Sequence, residues 1–241
     1  MLELTVGDRQ STGKPVVLVA GQALPDGIDV YGDRMYWTNM GSLGANDGTV
    51  QSAKLDGSDI QTVIATGEVH TPKQLCIDQK ERKLYFCDRE GLRIHRSNLD
   101  GSDHEIIIQT GDWKSDLEKG EFHPRDWPVG VTFSHRLNKV FFTLKGTSKG
   151  FDGRILSAGL QLPKGCTAAN RPDIEVVEHN LPECIDVEFD DESGVLFWTD
   201  RGELPLGNTL NRKQIIGDAP ASEKALGRQI VSLFDAFSLL E

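Results

Sequence analysis

Five side chains of this chain combine a titratable head group with the same local context, a position within two residues of a proline. His70 and Lys73 flank Thr71-Pro72, His123 precedes Pro124, Asp126 precedes Trp127-Pro128, and Glu183 follows Pro182. An imidazole titrates near neutral pH, and a carboxylate or amine beside it can accept, donate or neutralise a proton. These five are the candidate acid–base groups. A second set could hold a substrate: Asp26, Gln74, Arg89, Arg125, Trp127, Lys145 and Arg201, with the cations suited to an anionic group and the indole to an apolar one. Isomerisation, cyclisation, lyase chemistry and lactone hydrolysis all fit such a set. No nucleophile elbow, phosphate loop, dinucleotide fingerprint or metal-binding His pair is present, so neither an organic cofactor nor a metal is expected. A calcium ion held by Asp26, Glu183 and Asp235 is the less favoured alternative, because it needs several oxygens converging on one point.

The prolines belong to a repeat. Each leads a short apolar segment, a turn and an aromatic pair: Pro25 before Tyr36-Trp37-Thr38-Asn39, Pro72 before Tyr85-Phe86-Cys87-Asp88, Pro128 before Phe141-Phe142-Thr143-Leu144, and Pro182 before Phe197-Trp198-Thr199-Asp200. The first aromatics, Tyr36, Tyr85, Phe141 and Phe197, are spaced 49, 56 and 56 residues apart. Such a period with strand-like content marks a radial or stacked repeat. Within one unit, Gln74–Gln79, Lys83–Asp88, Leu92–Leu99 and His104–Gln109 read as four strands, with Asp100-Gly101 as a turn. Four strands per unit predict an all-β fold, a β-propeller of four-stranded antiparallel blades, in which neighbouring blades cover each other's faces.

One domain then spans 1–241, with full repeats at about 22–66, 70–110, 125–180 and 181–232. Five blades are favoured, the last shared between the termini from 1–21 plus 233–241, which would leave no open sheet edge. Six blades, or an incomplete ring ending in an amphipathic helix over 233–240, are the alternatives. In a propeller the first strand of each blade begins at the channel mouth. That rule brings the proline-flanked residues together with the loops carrying Arg89, Lys145 and Arg201. The insertion Gly111–Pro124, with Trp113, Phe122 and His123, would overhang the mouth as a lid. Asp88 and Asp200 read as structural groups bonded to backbone, with Arg89 and Arg201 as their ion partners.

Tyr36-Trp37-Thr38-Asn39 and Phe197-Trp198-Thr199-Asp200, with Leu-Asp-Gly-Ser at 55–58 and 99–102, resemble YWTD propellers, the class B repeats of low-density-lipoprotein receptors. The resemblance covers about residues 24–212. It departs at Cys87 and Leu144, which replace the motif's Thr and Asp. In that family the propellers are extracellular and flanked by disulfide-bonded modules, so the resemblance implies the fold rather than receptor function. Cys-Asp-Arg-Glu-Gly at 87–91 and Thr-Asp-Arg-Gly-Glu at 199–203 resemble standalone fungal YWTD-type proteins, which implies a setting in fungal secondary metabolism.

The net charge of −11 over 241 residues argues against a phosphate track and so against nucleic acid. No apolar run approaches the ~20 residues needed to span a bilayer. Met1-Leu2-Glu3-Leu4 lacks a basic and apolar leader, and the four cysteines form no metal-binding spacing, so the expected location is cytoplasmic. The leading expectation is a small-molecule enzyme at the channel mouth. The alternative is a non-catalytic protein- or ligand-binding propeller, and a homodimer completing the ring is compatible with either.

Overall fold

The computed structural model describes residues 2–3, 16–42, 44–203, 206–217 and 229–233. Sixteen strands form four antiparallel meanders. Blade 1 comprises β3 (Pro25–Tyr31), β4 (Arg34–Asn39), β5 (Thr49–Lys54) and β6 (Gln61–Ile64); it follows a two-stranded ribbon of β1 (Leu2–Glu3) and β2 (Val16–Val17). Blade 2 comprises β7 (Pro72–Asp78), β8 (Lys83–Asp88), β9 (Arg93–Asn98) and β10 (Glu105–Gln109). Blade 3 comprises β11 (Pro128–Ser134), β12 (Lys139–Leu144), β13 (Gly153–Gly159) and β14 (Glu175–Leu181). Blade 4 comprises β15 (Cys184–Asp190), β16 (Val195–Asp200), β17 (Thr209–Gln214) and β18 (Gln229–Leu233). The innermost strands β3, β7, β11 and β15 lie side by side in that order.

Four blades are described rather than the expected five. The residues assigned to a closing blade enter only as the β1–β2 ribbon and the segment through Ala20, and 4–15 and 234–241 lie outside the described residues. The helix alternative for 233–240 falls on the same stretch.

Strand alternation turns each aromatic pair into an interblade zipper. The first ring faces the next blade and the second the previous one. Tyr36 packs with Phe86, Tyr85 with Phe142, and Phe141 with Trp198, each pair within one apolar cluster. Trp37 faces Val19 and Leu18. The motif's Thr ties the same seams: Thr38 Oγ1 donates to Lys73 O at 2.7 Å and Thr143 Oγ1 to Ile185 O at 2.7 Å. Gly27 and Gly130 sit at these seams because a Cβ on either would lie 2.7 Å from Leu75 N or 2.5 Å from Ile185 O.

The innermost strands share a register irregularity. Each innermost strand shifts register just after its start, between Pro25 and Ile28, Pro72 and Leu75, Pro128 and Val131, and Cys184 and Val187. Such irregularities re-aim side chains. The helix α1 (Trp113–Lys119) and a 3-10 turn at Pro124–Asp126 occupy the connection between blades 2 and 3. Asp112 caps α1 by accepting from Ser115 N, and Gly120, in the left-handed region at φ 68°, ends it.

Candidate functional site

The mouth of blade 2 is built around one carboxylate. Asp88, fully buried at the end of β8, accepts the backbone N–H groups of His70 (3.0 Å) and Thr71 (2.7 Å) and pairs with Arg93 Nη2 at 2.6 Å. Burial alone would raise this carboxyl, but the adjacent His95 ring and Arg93, with the His70 amide, hold it well below the usual range. The His70 backbone is thereby fixed, and its ring is 4% exposed with Nδ1 2.9 Å from Thr71 Oγ1. Burial pushes the His70 pKa down, so the ring is neutral at pH 7.

Above His70 lies α1. Trp113 meets the His70 ring edge-on at 4.9 Å. Together they enclose a mostly apolar cavity of about 200 Å³, lined also by Glu90, Leu92, Leu117, Phe122, His123 and Trp127. Glu90 Oε1 accepts from Arg89 Nε (2.8 Å) and Nη2 (2.5 Å), while its buried Oε2 has no hydrogen-bond partner. His123 Nε2 lies 3.5 Å from Glu121 Oε2 and 3.9 Å from Asp116 Oδ1. Trp127 carries two cations over its ring, Arg89 at 5.1 Å and Lys145 at 5.7 Å.

Of the residues singled out from sequence, His70, His123 and Trp127 line this cavity, and Arg89 and Lys145 flank it through Trp127. The others lie outside it, most of them in ion pairs. Lys73 donates to Asp26, whose second oxygen takes Gln74 Nε2 at 3.1 Å. Asp126 pairs with Arg154 at 2.9 Å, and exposed Arg125 contributes its carbonyl to the same guanidinium. Glu183 is clasped by Lys145 at 2.7 Å and by Arg201. Burial would raise its carboxyl, yet the hydrogen bonds from Arg201 and Lys145 hold it at about 2. The expected partners of the motif carboxylates need correction: Asp88 pairs with Arg93 rather than Arg89, and Arg201 turns to Glu183 rather than Asp200.

Sequence reasoning gave Glu90 no chemical role and passed over Asp116 and Glu121. The last two reach His123 only because the chain reverses at Gly120. Asp116, Glu121 and His123 each present one atom within 4.8 Å of the others, the one such metal-competent trio among the described residues. Of the residues considered for calcium, Asp26 and Glu183 are each paired with cationic side chains, and Asp235 lies outside the described residues. Glu188, on the innermost strand β15, is pushed up to about 7, first by desolvation among its neighbours and then by Asp186 and Asp29, although its side chain keeps contact with solvent.

No protein-family model matches the chain. Over 193 residues it is 50% identical to a 3-hydroxyacyl-CoA dehydrogenase-like protein, LAM1, of Cochliobolus heterostrophus, covering 79% of this chain and 40% of that protein. It is 45% identical over 193 residues to a protein of Pyricularia oryzae named low-density lipoprotein receptor-related protein 1, covering 78% and 60% respectively. The chain therefore spans about half the length of these curated relatives. Among solved structures, the nidogen/laminin complex aligns with a TM-score of 0.58 at 17% identity, over 80% of this chain and 61% of that one. Hydrazine synthase of Kuenenia stuttgartiensis aligns with a TM-score of 0.55 at 12% identity, over 93% and 53%.

Proposed function

We propose that this chain, a YWTD-type β-propeller, binds a small molecule beneath α1 and performs proton-transfer chemistry on it. One observation carries the reading: a single cavity holds a buried neutral imidazole, an unpartnered carboxylate oxygen and a second imidazole beside two carboxylates, between indole walls. His70, neutral and desolvated, is the base. His123, with Asp116 and Glu121 beside it, is the acid. Glu90 Oε2 accepts a hydroxyl or amine of the ligand. The cavity is smaller than the roughly 300–1,000 Å³ of drug-sized sites, so the substrate is compact. Isomerisation, cyclisation and elimination need only this base and acid, and lactone hydrolysis needs in addition a water admitted to the cavity as the nucleophile.

The dehydrogenase-like name of the Cochliobolus relative is not carried over, because the match covers 40% of that protein. The test is to assay small-molecule fractions for turnover by the full chain and by His70→Gln. Loss of a general base lowers the rate by about 10²–10⁴-fold, and the acid limb of the wild-type profile should fall below pH 6.5. Equal turnover by the variant would remove His70 from this role.

A second reading, a non-catalytic protein-binding propeller, is favoured by Phe122 and Leu117, which stand 71% and 57% exposed beside the cavity. It predicts a partner released by Phe122→Asp while small-molecule binding persists.

A further inference from the structure

On the propeller face opposite α1, the seam between blades 2 and 3 opens into a second cavity of about 410 Å³. That volume lies within the roughly 300–1,000 Å³ of small-molecule sites. Its walls come from the β7–β8 turn, the β11–β12 turn and the segment after β13, with Lys83 and Arg96 rising from β8 and β9. The chemistry centres on Asp78, whose side chain is 2% exposed. Its Oδ1 accepts Lys80 N at 3.0 Å, Glu81 N at 2.9 Å and His135 Nε2 at 3.0 Å. Its Oδ2 is buried and has no hydrogen-bond partner. A buried carboxylate oxygen left unpaired is unfavourable, so this atom calls for a donor.

The remaining lining decides what kind of donor. Arg96 has four of its five N–H groups taken: Glu105 Oε1 takes Nε at 2.9 Å and Nη2 at 2.7 Å, Leu160 O takes Nη1 at 2.7 Å, and Gln161 Oε1 lies 3.2 Å from Nη2. Lys83 makes one bond, to Asn98 Oδ1 at 2.6 Å, and keeps two N–H donors. Among the lining residues Asp78 and Glu81 match Lys83 and Arg96 in number, and Arg96 is already paired with Glu105 beside the cavity, so no excess of positive charge is offered to an anion. What it lacks is hydrogen-bond partners of both kinds, and a hydroxyl supplies both at once. We propose that this seam is a binding site for a neutral polyhydroxylated molecule of monosaccharide size, one hydroxyl donating to Asp78 Oδ2 and another accepting from Lys83. The site is separate from the cavity beneath α1 and does not depend on its assignment.

The test is saturation-transfer NMR on the full chain with D-glucose, D-mannose and myo-inositol, and with glycine and inorganic phosphate as contrasts. At least one polyol should bind saturably. Asp78→Asn keeps the Oδ1 turn bonds and replaces the open acceptor by a donor. It should weaken binding roughly tenfold or more, as loss of a hydrogen bond to a charged group does. Lys83→Met, which leaves that turn untouched, should weaken it as well, and Trp113→Ala should not. Failure of all three polyols to bind, affinity unchanged in both seam variants, or saturable binding of glycine or phosphate in their place would overturn the proposal.

Discussion

Glu183 at the mouth of blade 4 and Glu90 at the mouth of blade 2 are both shielded carboxylates with an arginine beside them, and they end differently. Glu183 is gripped from two sides, by Lys145 of blade 3 and by Arg201, and is held at about 2. Glu90, at the wall of the cavity under α1, spends one oxygen on Arg89 and keeps the other buried without a hydrogen-bond partner. The contrast teaches that charge at a channel mouth is not by itself chemistry. A group is available to a ligand only where its neighbours leave capacity unmet. By that measure the blade 4 mouth is a strut, and the blade 2 mouth, with His70 and the α1 insertion, is the candidate site.

Breaking the strut should give the largest change in stability. Glu183→Ala leaves Lys145 shielded without its partner and should cost about 3–5 kcal/mol in denaturant unfolding, with no change in binding beneath α1. The reverse experiment uses the lid. No residue of α1 is buried, so Trp113→Ala should change stability by no more than roughly 0.5 kcal/mol, as surface substitutions do. Small-molecule binding beneath α1 should nonetheless be lost. A large stability loss in Trp113→Ala with binding intact would erase the distinction between the regions.

Acid titration sharpens it further. The Glu183 carboxyl lies near 2 when folded against an ordinary 4.5. Its stabilisation is therefore full above pH 4.5 and is lost as pH falls toward 2, so Glu183→Gln should flatten that part of the stability curve. Glu188 has the opposite sign. Its folded value near 7 exceeds the ordinary 4.5, so the folded chain binds the extra proton and stability declines as pH rises from 4.5 to 7. Glu188→Gln should remove that decline, and the effect should be the smallest of the set because the side chain is solvent-accessible. Unfolding curves across pH check both.

The scaffold was legible in the sequence to the level of single strands. Alternation and the recurring aromatic pair locate β7 to β10 within a residue or two, because those signals are local. The ion pairs were not. Arg89 adjoins Asp88 in sequence, but Arg93 lies directly opposite it across the β8–β9 ladder, and register decides the partner. Lys145 and Glu183 meet only across a blade seam, which no local pattern reports. His123 reaches the cavity wall lined by His70 because Gly120 turns the chain back after α1, whereas Asp126, three residues on, is drawn away by Arg154. Proximity to the mouth could be read from the prolines, and availability could not.

The most direct test of the central claim is a thermal-shift screen of small-molecule fractions on the full chain, repeated with Trp113→Ala and Glu183→Gln. A ligand that stabilises the wild type and Glu183→Gln, and fails to stabilise Trp113→Ala, is the predicted result. A ligand whose effect survives Trp113→Ala and disappears in Glu183→Gln would contradict the account and move the site to the blade 4 mouth.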